Sequence, residues 1–242
     1  MLALARLGIL LPATLVMLPP ESAHAQISGP YAASMSTEPV TFHLSGQPYH
    51  VPPKNTDCCK PIEAPDYSSE AHLVRYRVPR NYLIAVNGSL LVVFKITYPG
   101  FKPLTKGTEA CLSQAPADRP VECTLVQFFL RAGGAYDVPD EIAFQNARNF
   151  SRGPTPKMGP AGFELYEAGP EEARINTYRI DTKMHTLMIQ CFRNNDEPVG
   201  VCNTSSRLPT GNVLEYHLNE DQLKDAVAID TGIRQLIAKF VQ

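Results

Sequence analysis

The stretch VLEYHLNEDQLKDAVAIDTGIRQLIAKF, Val213–Phe240, decides the architecture, because the spacing of its apolar residues changes once within it. Val213 to Leu218 reads as a short strand. Beyond it Leu223, Ala226, Val227, Ile233, Leu236, Ile237 and Phe240 recur at three- and four-residue spacing, the period of a helix with one apolar face. Asn219 is placed as the N-cap, and Gln222 three residues later completes a capping-box pattern. Asp230-Thr231-Gly232 is expected to divide this helix in two. Lys224, Asp225, Arg234 and Lys239 fall mostly away from the apolar stripe, so the helix is expected to bury one face on its own sheet.

Working upstream, Phe163–Tyr166, Thr177–Ile180, Leu187–Phe192 and Val199–Ser205 are short strands separated by turn residues, as in an antiparallel meander. Cys191 and Cys202 follow the apolar runs of two of them, with the turn Asn194-Asn195-Asp196-Glu197-Pro198 between. That geometry brings the two sulfurs together. Ser89–Tyr98 is the clearest strand of the chain, β-branched and aromatic with apolar residues on both faces, and is expected to be central. Val121–Leu130 is a second, and Leu73–Val78 a third, ending at Pro79. Val40 to Val51 alternates in part and predicts a hairpin turned at Ser45-Gly46. Residues 131–160 read as a long connection with at most a short helix around Glu141 to Arg148, either a functional loop or a boundary between two sub-domains. The expected fold is therefore α+β: a twisted, mainly antiparallel sheet, stapled by disulfides, with an amphipathic C-terminal helix.

The first 25 residues read as a secretory signal peptide. Arg6 gives a positive n-region, Leu7–Leu18 is apolar, and Ala23-His24-Ala25 is a small-x-small cleavage signal, so the mature chain is expected to begin at Gln26. The apolar run of 12 residues is too short to span a bilayer. A flexible leader over 26–39 precedes a single domain over 40–242, and the protein is expected to be periplasmic or secreted. Removing the signal takes away one base (Arg6) and one acid (Glu21), and the net charge stays at −2. That balance gives no reason to expect nucleic acid or a membrane surface as partner.

An oxidising compartment makes disulfides of the six cysteines. Besides Cys191–Cys202, the same hairpin logic joins Cys111 to Cys123 across Pro116, Asp118 and Pro120. Cys58 and Cys59 are left either to bridge each other or to pair separately, since each could recruit Cys111 or Cys123.

No nucleophile elbow, H-E-x-x-H, C-x-x-C, phosphate loop or dinucleotide fingerprint occurs in the chain. The mature histidines are His43, His50, His72, His185 and His217. His43 and His50 flank the expected hairpin, but no third ligand is placed near them, and Cys58-Cys59 with His72 has the wrong spacing for zinc. No metal or cofactor is expected. Glu164, Glu167, Asp181 and Glu215 could supply a carboxylate pair for glycoside hydrolysis, yet outward-facing acids beside strands are ordinarily solvated. Sequons stand at Asn87, Asn149 and Asn203.

The segment Tyr76-Arg77-Val78-Pro79-Arg80-Asn81-Tyr82-Leu83 puts Tyr76 and Tyr82 on either side of a basic turn holding Arg77 and Arg80. Tyr and Arg carry binding energy at protein interfaces; the alternative is that both tyrosines pack under the sheet. Together with the cysteine pair, the strand Val213–Leu218 and the helix Leu223–Phe240, this segment resembles uncharacterised secreted proteins of Gram-negative bacteria, some of them associated with immunity to toxins delivered by contact-dependent secretion systems. The resemblance covers about a third of the chain and transfers no functional residue. A secreted, disulfide-stapled domain with a long irregular insert and no catalytic constellation is expected to be a periplasmic, non-enzymatic protein-binding protein, with the insert at 131–160 as the expected contact region, and the resemblance implies an immunity protein that blocks a toxin. A secreted hydrolase with an acidic site assembled only in three dimensions, or a structural envelope protein, are the competing expectations.

Overall fold

The computed structural model describes residues 36–47, 72–105, 124–133, 144, 148, 155–169, 173–194 and 200–242. The signal peptide, most of the leader, Cys58, Cys59, Cys111, Cys123, His50 and Asn149 lie outside the described residues. Among the residues expected to form a short helix, Phe144 and Arg148 are described, and both are helical.

Alternation of apolar and polar side chains makes the strands and chooses their inner face. In β4 (Leu91–Tyr98) Val92, Phe94 and Ile96 point inward and are fully buried; in β6 (Thr124–Arg131) Val126, Phe128 and Leu130 do the same. The strands pair with Phe94 opposite Phe128, so the two rings stack at 4.5 Å. One continuous antiparallel sheet holds β3 (Leu83–Asn87), β4, β6, β12 (Val213–Asn219), β11 (Val201–Arg207), β10 (Thr186–Asn194), β9 (Ala173–Asp181), β8 (Glu164–Ala168) and β7 (Lys157–Met158) in that order, with β5 (Lys102–Pro103) beside β4. The chain leaves β6 in mid-sheet and re-enters at β7 on the far edge. From there it meanders back until β12 lies against β6. The connection at 131–160, most of which lies outside the described residues, joins strands of a single sheet.

The disulfide expected between Cys191 and Cys202 is present. The two residues face each other in the β10–β11 register, their Cα atoms are 3.9 Å apart, and both are fully buried.

The local hairpin expected over Val40–Val51 is corrected. β1 (Pro39–Ser45) pairs instead with β2 (Leu73–Pro79), with Phe42 opposite Tyr76. The chain does not turn at Ser45-Gly46: the Gly46 amide donates to the His72 carbonyl and extends the ladder. Gly46 then crosses the Leu208–Asn212 turn, where Gly211 has a φ of +83° and a side-chain carbon on it would meet the Gly46 carbonyl oxygen at 2.1 Å. Only glycines allow the two backbones to approach so closely. A tight crossing, not a turn, is what Gly46 serves.

The C-terminal segment opens with the expected capping box, Asn219 with Gln222, on a 3-10 turn over Glu220–Asp225. The helix α1 (Ala226–Phe240) follows. It is continuous through Asp230-Thr231-Gly232, correcting the expected break. Gly232 sits there because its face meets the ring of Phe101, whose Cζ would lie 2.1 Å from an added side-chain carbon. The apolar face of α1 covers the sheet, with Ile229 and Ile233 fully buried and Leu236, Ile237 and Phe240 nearly so. Each such side chain stabilises the fold by about 1.5–3 kcal/mol. Past α1, Val241 bridges to Tyr76 and the Gln242 amide donates to the Arg75 carbonyl, which ties the chain end to β2. Among the described residues no helix is long and apolar enough to cross a membrane.

Candidate functional site

The inner face of β11 departs from the apolar pattern. After Cys202 its inward positions are Thr204 and Ser206, both buried, so α1 meets a polar row at this point. The helix answers with polar groups one turn apart: Asp230 is 1 % exposed and Arg234 7 %. Tyr216, opposite Thr204 on β12, donates its hydroxyl to Asp230 Oδ1 at 2.9 Å. Arg234 Nε donates to Asp230 Oδ2 at 2.9 Å, and its Nη2 donates to Ser206 Oγ. His185 Nε2 stands 3.1 Å from Asp230 Oδ2, within ion-pair distance though not in the direction of a hydrogen bond. The histidine is held by a tight turn between β9 and β10, in which Thr182 Oγ1 accepts from the His185 amide at 3.1 Å and donates to its carbonyl at 2.6 Å.

This surrounds one buried carboxylate with donors. Burial pushes the Asp230 pKa up, but His185 and the Arg234 charge outweigh it and hold the group below the ordinary aspartate value. For Tyr216 burial and the neighbouring Asp230 charge act in the same direction, and its pKa lies well above 10.

Two members of this network, Arg234 and His185, line a cleft of about 630 Å³. From α1 come Arg234, Ile237 and Ala238, followed by Val241; the β11 end and its turn supply Arg207, Leu208, Pro209 and Thr210; the β9–β10 turn supplies Met184 and His185. Most of this wall is apolar. Met184 is 58 % and Val241 36 % exposed, so large apolar side chains stand open to solvent at the cleft. Its floor is rigid. The Arg207 guanidinium donates to the Gln47 carbonyl, and the turn is closed by Leu208 N to Asn212 O at 2.8 Å.

The residues singled out from sequence are scattered by comparison. Tyr76 is fully buried: its hydroxyl donates to Asn212 Oδ1 at 2.6 Å, while Asn212 Nδ2 donates to the Ser45 carbonyl at 2.6 Å, pinning the β1–β2 ribbon to the sheet. Burial raises its pKa to about 12. Tyr82 packs edge-on against Phe240, ring centres 5.3 Å apart. Both tyrosines therefore serve the core, while Arg77 and Arg80 are exposed between them. The four acids of the hydrolase expectation each face a cation: Glu164 and Asp181 share Arg179 at 2.9 and 2.7 Å, Glu167 meets Lys157 and Arg174, and Glu215 meets Arg131 at 2.6 Å. His43 and His72 are exposed, and His217 Nδ1 lies 2.5 Å from Asn203 Oδ1 on the opposite face of the sheet from α1. Among the described residues no three His, Cys, Asp or Glu side chains gather as a metal site.

Sequence reasoning missed the cleft and misplaced Arg234, which lies under the helix and not away from its apolar stripe. A signal existed. Asp230 falls on the stripe, one residue after Ile229 and three before Ile233, and an acid on an apolar face with an arginine at i+4 marks a buried pair.

No family model and no curated protein matches this chain. Among solved structures its fold is similar to that of Smlt3025, described as an immunity protein of the Stenotrophomonas maltophilia type IV secretion system. The TM-score is 0.51 at 14 % sequence identity, over 70 % of this chain and 90 % of that one. The likeness is one of fold.

Proposed function

We propose that this protein is a non-enzymatic binding protein of the cell envelope, of the immunity type, which protects its host by occluding a toxin that reaches the periplasm. The cleft at the junction of α1, β11 and the β9–β10 turn is its contact site. The observation that carries this reading is the cleft itself. It is an apolar-walled depression with open Met184 and Val241, set on a rigid sheet–helix junction, as the centre of a protein interface is built. The one acid of the network is engaged by structure. Both oxygens of Asp230 already accept from Tyr216 and Arg234, which leaves the carboxylate poorly placed to act as a base. The shared fold with a secretion-system immunity protein supports the same reading.

The test is growth protection. Candidate effector toxins of the host's secretion systems are each expressed with periplasmic export, in cells with and without the full chain. Growth restored by the chain is the expected result, and a chain lacking residues 1–25 should fail to restore it because it stays on the wrong side of the membrane. Equal killing by every candidate with and without the full chain would overturn the proposal.

A further inference from the structure

We infer that the cleft takes an acidic, apolar segment of a protein partner, a carboxylate-bearing residue next to an aliphatic or aromatic one. This rests on the reading of the protein as a partner-binding one. Among the described residues, the charged and titratable groups lining the cleft are Arg207, Arg234 and His185, with no acid among them. Asp230 is 1 % exposed and lies behind Arg234 with its oxygens engaged, so a carboxylate entering from solvent meets guanidinium first. Arg234 is held in place by Asp230 and Ser206 before any partner arrives and loses little side-chain freedom on binding. His185 turns its Nε2 toward Asp230, 3.1 Å from Oδ2, and both its ring nitrogens are buried, so the entering carboxylate is left to the two arginines.

The rest of the lining fixes the second half of the ligand. Leu208, Ile237, Ala238 and Val241 offer hydrocarbon, and exposed Met184 is a flexible, polarisable side chain able to fold over what enters. At about 630 Å³ the space greatly exceeds a lone carboxylate and suits one joined to bulky apolar groups.

Three probes sharing a ten-carbon tail separate the contributions: decanoate, decanol and decyltrimethylammonium, each titrated into the full mature protein below its micelle concentration and followed by amide NMR shifts. Decanoate should shift residues 184–185, 207–210 and 234–241 saturably, at least tenfold more tightly than decanol, with the cation weakest. Ala238→Trp, on an exposed position of the helix, should fill the cleft and abolish these shifts while the rest of the spectrum is kept. Arg207→Gln should weaken decanoate and leave decanol unchanged. Equal binding of all three probes, no binding, or shifts elsewhere would overturn the inference. Decanoate binding tighter than micromolar, with Ala238→Trp still fully protective against the toxin, would assign the cleft to a free fatty acid and overturn it too. Protection by the wild-type chain that Ala238→Trp does not impair would sink the cleft and leave the immunity reading standing, whereas absence of protection by the wild type sinks that reading itself.

Discussion

At the scale of single residues, the buried carboxylate of Asp230 sets the strongest expectations. Asp230→Asn removes the anion that faces Arg234, and loss of one member of a buried pair costs about 3–5 kcal/mol. Tyr216→Phe removes a donor and leaves one carboxylate oxygen short, at a cost of about 1–3 kcal/mol. Chemical denaturation of each variant measures both. The pH dependence follows from the same groups. The Asp230 pKa is lowered in the fold, so its contribution is complete above the unfolded value of about 4 and is lost as pH falls through the lower, folded value. Tyr216 and Tyr76 are raised, Tyr76 to about 12, so their contribution is complete below the unfolded value of about 10 and lost as pH rises beyond it. Thermal midpoints should therefore fall on both the acid and the alkaline side, and Asp230→Asn should flatten the acid limb. An acid limb identical to wild type would show that Asp230 gains nothing from its neighbours.

At the scale of elements, the strands and the terminal helix were legible because they obey one periodicity each. Leu187–Phe192, Val213–Leu218 and the stripe ending at Phe240 have their inward positions spelled out by apolar residues. The helix break and the first hairpin were misread for a common reason. Gly232 and Gly46 look like punctuation along the chain, yet each is required by a neighbour remote in sequence, Phe101 and Thr210. The cross-link and the helix core both give measurable expectations. Replacing Cys191 and Cys202 together by alanine opens a loop with a sequence separation of 11 and should cost about 2–4 kcal/mol. Leu236→Ala should cost about 2–5 kcal/mol including the cavity, since Leu236 is nearly buried on the sheet-facing side of α1. A Leu236→Ala protein melting like wild type would move that helix face from the core to the surface.

At the scale of the whole molecule, the sequence announces an antiparallel α+β fold but not its strand order. The pairing of β6 with β12 joins strands more than 80 residues apart, and only burial of both their inner faces beneath α1 selects it. The cleft was invisible for the same reason. Met184-His185, Arg207–Thr210 and Arg234–Val241 are three separate segments, none unusual alone, and they meet only when the sheet closes under the helix. The opposite face of the sheet is the rival surface, since Phe192 and Val201, paired across β10 and β11, are each 45 % exposed there. Hydrogen–deuterium exchange of the full mature chain, alone and bound to the toxin it protects against, decides between the two faces. Protection on binding at 182–185, 207–211 and 234–242, with little change across the outer face, is the result predicted. Protection centred on Phe192, Val201, Phe129 and His217, with the cleft segments exchanging as in the free protein, would contradict it.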